Sequence, residues 1–173
     1  ACTTQAYEDE CGLPRLRRTL DWPFHGLGKA VEIAWQSGAA GEFYNATWPG
    51  AVGVLSAMAP GRFCASINQA PMKRRTQGAL GFAYDAALNL HDAFASEGGW
   101  PPDHLLRYAF ENCANFDEAV DCIASAPLAR PTLFTLAGVR RGEMALIDSG
   151  PRSATAICSV SSARLPPAKI TSG

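Results

Sequence analysis

The chain has 173 residues, with 15 Lys and Arg against 16 Asp and Glu, and 47% of its side chains are hydrophobic. That is enough chain to bury one core. Its near-neutral charge, with no basic run longer than Lys73-Arg74-Arg75, excludes the electrostatic footprint of a nucleic-acid binder. No apolar run approaches the roughly 18 residues of a membrane-spanning helix.

Cys2 opens a β-prone run, Thr3 to Tyr7, that turns over residues 8–13. A second run, Arg15 to Trp22, follows Pro14. Pairing the two antiparallel returns Arg18 and Asp21 to Cys2. In an arbitrary chain a terminal cysteine is an unordered end, and a single Arg or Asp is a surface charge. Together they have a chemistry. A terminal thiolate attacks an acyl carbon while its own α-amine, with a pKa of about 8, moves the proton. A neighbouring guanidinium and carboxylate fix such a thiol and amine in place. Ala1 precedes Cys2, so the amine is free only once that peptide bond is cut, and the active form is expected to begin at Cys2.

Further along, Val31, Ile33 and Trp35 alternate with polar positions, which predicts a half-buried strand over 31–36. Aromatic and β-prone residues predict another over 42–48. Runs 52–58 and 62–68, separated by Ala59-Pro60-Gly61, predict an antiparallel pair. Asn45-Ala-Thr47 fits a glycosylation acceptor but falls inside a strand. The period then changes. Phe82, Ala86, Ala87, Leu90, Ala93 and Phe94 predict an amphipathic helix ending before Gly98. Pro102 and Asp103 open a second helix running through Cys113, and Asn115 caps a third that stops at Pro127. Strands are predicted over 132–139 and 143–147. Beyond 148 only 154–160 keeps strand character. Helices on antiparallel sheets make the fold class α+β.

Cys11, Cys64, Cys113, Cys122 and Cys158 form no C-x-x-C pair and no metal-ligand spacing with His25, His91 or His104. They are expected to be largely reduced, partly buried thiols rather than a disulfide framework. No secretory leader is visible. A leader removed earlier would leave the same start, and the thiols fit a reducing compartment such as a bacterial cytoplasm.

Four blocks occur in a telling order: Cys2-Thr3-Thr4; Arg18-Thr-Leu-Asp21-Trp22-Pro23; Trp48-Pro-Gly through Ser66-Ile-Asn68-Gln69; and Pro131-Thr-Leu-Phe-Thr-Leu-Ala-Gly138 with Gly142-Glu143. Over residues 2–148 the chain resembles the N-terminal nucleophile amidohydrolases of the acid ceramidase, N-acylethanolamine acid amidase and choloylglycine hydrolase group. It is also similar to the related acyl-CoA:6-aminopenicillanate acyltransferases. The resemblance implies a four-layer αββα sandwich. It further implies Cys2 as nucleophile, Arg18 and Asp21 arranging it, and Asn68 as an oxyanion donor. Ceramidase-like members carry a glutamate after that asparagine where this chain has Gln69, which removes any acid/base role there. After Asp148 the resemblance stops. Family members continue with a second oxyanion asparagine and a further arginine, whereas no asparagine follows Asn115 here. The expectation is therefore a catalytic domain over 1–148 and a divergent tail over 149–173, with the sandwich incomplete at its C-terminal end and amide turnover weak. A truncated member, a piece of a larger precursor and a minimal divergent member all fit.

The function expected is hydrolysis of an N-acyl amide through a thioester at Cys2, with no cofactor and no metal. Acyl transfer by the same thioester is an alternative. Another is a catalytically impaired fragment, or a subunit with a structural or partner-dependent role. Trp22, Phe24, Trp48 and Met58 are candidates to line an apolar acyl pocket, although core packing is the simpler explanation for Trp48 and Met58. An uncovered sheet edge would favour self-association or a partner chain.

Overall fold

The computed structural model describes residues 2–21, 26–70, 76, 81–88, 98–150 and 153–159. Ala1, Trp22, Phe24, the basic triplet 73–75, residues 89–94 of the expected first helix and the tail from 160 lie outside the described residues. Two antiparallel sheets organise the chain. Strand β1 (Cys2–Glu8) and β2 (Pro14–Leu20) form a hairpin, with Cys2 opposite Leu20 and Thr4 opposite Arg18. The larger sheet takes β3 (Glu32–Gly38), β4 (Gly41–Thr47), β5 (Ser56–Ala59), β6 (Phe63–Gln69), β7 (Thr132–Ala137), β8 (Met144–Gly150) and β9 (Ser153–Ser159) in chain order. Residues 81–88 are helical (α1). Helix α2 (Pro102–Asn112) lies on β3, β4 and β6, and α3 (Phe116–Ser125) lies on β7, β8 and β9. The hairpin packs on β6, β7 and β8. The architecture is thus α+β, antiparallel sheets flanked by helices, consistent with the sandwich expected. No helix among the described residues is long and apolar enough to cross a membrane.

Helices α2 and α3 form where the sequence predicts them. Pro102 begins α2, where its missing N–H costs nothing, and Leu105, Leu106, Ala109 and Phe110 fall on one buried face. Phe110 stacks on Phe43 and Phe63 at centroid distances of 5.3 and 4.7 Å, so α2 is fastened to β4 and β6 by rings. Asn115 caps α3 by accepting from the Glu118 N–H at 3.0 Å, while Glu118 accepts from Ala114 N–H at 2.7 Å. This reciprocal cap stabilises a helix start by about 1 kcal/mol. Arg62, in the β5–β6 turn, donates to the carbonyls of Phe110 (3.0 Å), Cys113 (2.9 Å) and Glu42 (2.7 Å). It thereby closes the C-terminal end of α2 against the sheet. At the end of β3, Gly38 lies so close to α2 that an added Cβ would sit 2.4 Å from the Glu111 Cα.

Several expectations are corrected. The 31–36 strand is present as β3, but its apolar row faces outward: Ile33 is 66% and Trp35 68% exposed. The side toward α2 instead carries Ala34, Gln36 and Gly38, the last lying against the Glu111 backbone where no side chain fits. The 52–58 strand begins only at Ser56. Residues 52–54 spend their backbone on α2, Val54 N–H donating to Asp103 O (3.0 Å) and Val52 O accepting from Arg107 (2.8 Å). In α1 the outward residues include Phe82, 51% exposed, whereas Asp85 is buried and accepts from Thr76 N–H at 3.1 Å. The buried carboxylate finds a backbone donor there, and Leu90, Ala93 and Phe94 of the expected apolar stripe lie outside the described residues. The strand over 132–139 ends at Ala137, since Val139 and Arg140 N–H both donate to the Glu143 carboxylate at 2.8 Å in a turn. Asn45 is fully buried, which rules out a glycan on the folded chain.

Candidate active site

Alternation along the hairpin decides which groups can meet. Cys2, Thr4 and Ala6 of β1 and Leu16, Arg18 and Leu20 of β2 turn toward the larger sheet, and their neighbours Thr3, Gln5, Arg15, Arg17 and Thr19 are exposed. Outside, Arg17 lies over the Tyr7 ring at 4.7 Å. Inside, Arg18 reaches across to the larger sheet. Its Nη1 donates to the Leu55 carbonyl and to Ser56 Oγ, and its Nη2 donates to the Ile67 carbonyl at 2.7 Å. The same guanidinium interacts electrostatically with the side chain of Cys2, which shares its face of the hairpin. Burial pulls Arg18 below the ordinary guanidinium pKa, and attraction to Cys2 pulls it back up. One cation therefore links the thiol-bearing strand to β5 and β6.

Beside this link runs a second one. Thr4 Oγ1 donates to Asn68 Oδ1 at 3.0 Å and lies 3.1 Å from Ser66 Oγ. Ser66 is fully buried and Asn68 half-buried near the end of β6. Cys2 and Thr4 are successive residues on one face of β1, roughly 7 Å apart along the strand. Asn68 and Cys2 are thus brought to the same side of the same hairpin. Gln69 alternates to the other side of β6 and is exposed.

The other expected residues lie at the end of the hairpin and along β4 and β5. Asp21 follows Leu20, the register partner of Cys2, and its exposed carboxylate accepts from Thr19 Oγ1 at 3.3 Å. Trp48 follows β4, half-buried, and donates its Nε1–H to the Leu27 carbonyl at 2.9 Å. That bond anchors the short 3₁₀ turn Leu27–Ala30 between β2 and β3. Met58 is 47% exposed, on the same face of β5 as Ser56 and opposite Tyr44 of β4, so it is not core. Trp22 and Phe24 lie outside the described residues.

The other described cysteines are free. Burial raises the pKa of Cys64, which donates to the Ala137 carbonyl. A hydrogen bond between Cys113 and Cys122 raises Cys113, helped by burial, and lowers Cys122 to about 7.

Thr4, Ser66 and Ser56 were not singled out by chemistry in the sequence. A register that sets Thr4 opposite Arg18 was the only available signal for them, and it depended on the turn length.

The chain matches no family model and no curated protein. Its fold is similar to that of a solved Caenorhabditis elegans N-acylethanolamine-hydrolyzing acid amidase ortholog, with a TM-score of 0.69 and 21% sequence identity over 91% of this chain. The chain spans 63% of that protein's length. The relationship shown is one of fold.

Proposed function

We propose that the chain is an amidohydrolase that cleaves an N-acyl amide through a thioester on Cys2. The observation that supports this best is the Arg18 guanidinium. It shares the hairpin face of Cys2, interacts electrostatically with the thiol, and is bound to Leu55, Ser56 and Ile67, on the sheet face that also bears Asn68. A half-buried arginine that spends its donors in this way fixes a thiol relative to a potential oxyanion donor, which is what positioning catalysis requires.

With the Ala1–Cys2 bond cut, the α-amine of Cys2 takes the thiol proton and the sulfur attacks the acyl carbon. Asn68 Nδ2 donates to the developing oxyanion. The C–N bond then breaks, the leaving amine takes the proton back from the ammonium, and a thioester remains. Water, activated by the same amine, releases the acid and restores the thiol. Asp21, one residue past the partner of Cys2, orients the ammonium. Met58 and the residues across from it offer apolar surface to the acyl group.

The test is turnover of a plain N-acyl amide by chain whose terminus is verified as Cys2 by intact mass and N-terminal sequencing. Activity is expected there and not in chain that keeps Ala1 or carries Cys2→Ala. Equal turnover with Ala1 retained would sink the reading.

A further inference from the structure

We infer that Thr4 is a positioning residue, a hydroxyl that fixes the direction of the Asn68 amide and so presents its Nδ2–H to the substrate oxyanion; this rests on the amidohydrolase reading above. An asparagine side chain has two ends that exchange by a half-turn, and only the NH₂ end can donate to an oxyanion. What sets the turn is the partner of the carbonyl end. Asn68 Oδ1 is held by the Thr4 hydroxyl at 3.0 Å, and no hydrogen bond among the described residues uses its Nδ2. Thr4 has a single proton. With that proton on Asn68, the 3.1 Å contact to Ser66 is a bond in which Ser66 Oγ–H donates to Thr4 Oγ1. The order Ser66 to Thr4 to Asn68 leaves the amide NH₂ as the free end of a three-member chain whose first member is fully buried. Such chains polarise in one direction and resist reversal, because turning the amide would reverse every bond behind it.

The backbone fixes Thr4 as firmly as its hydroxyl fixes Asn68. It sits mid-strand in β1, opposite Arg18, whose guanidinium is itself clamped to β5 and β6. The same hairpin face thus carries the nucleophile at Cys2 and, one step along, the group that aims the oxyanion donor. Sliding β1 by one residue would lose both together.

The experiment compares processed wild type with Thr4→Val, Thr4→Ser, Ser66→Ala, Asn68→Ala and the double variant Thr4→Val/Asn68→Ala. Loss of an oxyanion donor costs about 10²–10³ in turnover. Misdirecting one is expected to cost less, so Thr4→Val should lower kcat on an N-acyl amide roughly 10- to 100-fold with KM little changed. Thr4→Ser keeps the hydroxyl and should restore most of that loss. An activated ester, which needs less oxyanion help, should lose less than the amide. In the Asn68→Ala background Thr4→Val should cost nothing further, because its target is gone. Alkylation of Cys2 by iodoacetamide reports an intact hairpin and should be unchanged. If Thr4→Val does not fold, Ser66→Ala replaces it, with a smaller loss that also vanishes on Asn68→Ala. Full amide kcat in Thr4→Val, or an equal loss with and without Asn68, overturns the inference alone. Asn68→Ala with full amide activity likewise overturns the inference alone, whereas wild type inactive on amides overturns the amidohydrolase reading and this inference with it.

Discussion

The two faces of the seven-stranded sheet are built on opposite principles. Toward α2 and α3 the sheet presents Phe43, Phe63, Phe134, Leu136 and Ile147, all 2% exposed or less, against Phe110 and Ile123. That face is dry and close-packed. Toward the hairpin it presents Ser56, Ser66 and Asn68, held by Arg18 and Thr4 through directed hydrogen bonds, with Ile33, Trp35, Tyr44 and Met58 exposed beside them. The first face accounts for stability and the second for orientation. A protein divided this way should respond to substitutions on its two faces in different observables.

The largest stability effect belongs to the packed face. Phe110→Ala removes a ring shared by Phe43 and Phe63 and should destabilise by about 3–5 kcal/mol, read as a lowered denaturation midpoint with the slope unchanged. Arg18→Met lies on the other face. It removes the donors to the Leu55 and Ile67 carbonyls, for a cost of about 1–3 kcal/mol. It should lower amide turnover by at least about 10²-fold, more than its stability cost would suggest. A loss of stability with activity intact would remove Arg18 from the site. Trp35→Ser, at an exposed position on the same face, should change stability by no more than about 0.5 kcal/mol; a larger loss would mean that the outer row is packed in solution.

Two smaller effects concern titration. Cys122 should be alkylated ahead of Cys113 near neutrality, its rate rising as pH passes about 7, because its partner thiol holds the proton. Peptide mapping after brief iodoacetamide treatment checks this, and equal labelling would contradict the hydrogen bond. In the hairpin turn, Asp9 accepts from Leu13 N–H (2.9 Å), Arg15 Nε–H (2.8 Å) and Cys11 N–H (3.0 Å), which lower its pKa below 3.8. Because folding depresses this carboxyl, its contribution is complete above about pH 4 and is lost as pH falls through the folded value. Amide exchange at Leu13 and Cys11 should accelerate only in that acid range.

Much of the helical layer was legible in the sequence, because Pro102, Asn115 and the Leu105–Phe110 stripe each state a boundary or a face by local chemistry. The sheet was legible in its strands and less so in its faces. A period of two separates Val31, Ile33 and Trp35 from Ala34 and Gln36 without saying which side meets a helix, and bulk pointed the wrong way. The start of β5 was hidden because Val52 and Val54 have strand propensity, yet their hydrogen bonds are drawn to Asp103 and Arg107, some fifty residues on. At the site, Cys2 and Arg18 were legible because a hairpin register is local. Thr4 and Ser66 were not, since their contact joins residues 62 apart through two ordinary hydroxyls.

The bond from Gly142 N–H to the Glu8 carboxylate, 3.0 Å long, closes a span of 134 residues. Neighbouring strands β1 and β2 can pair early, since their turn is short, but the hairpin has no surface to dock on until β6, β7 and β8 lie side by side. Closing so long a span is entropically costly and kinetically late. The start of the chain is therefore among the last parts to settle. Any chemistry that Cys2 performs would therefore report completed folding: an immature chain carries the thiol but has not yet assembled the sheet on which its strand packs.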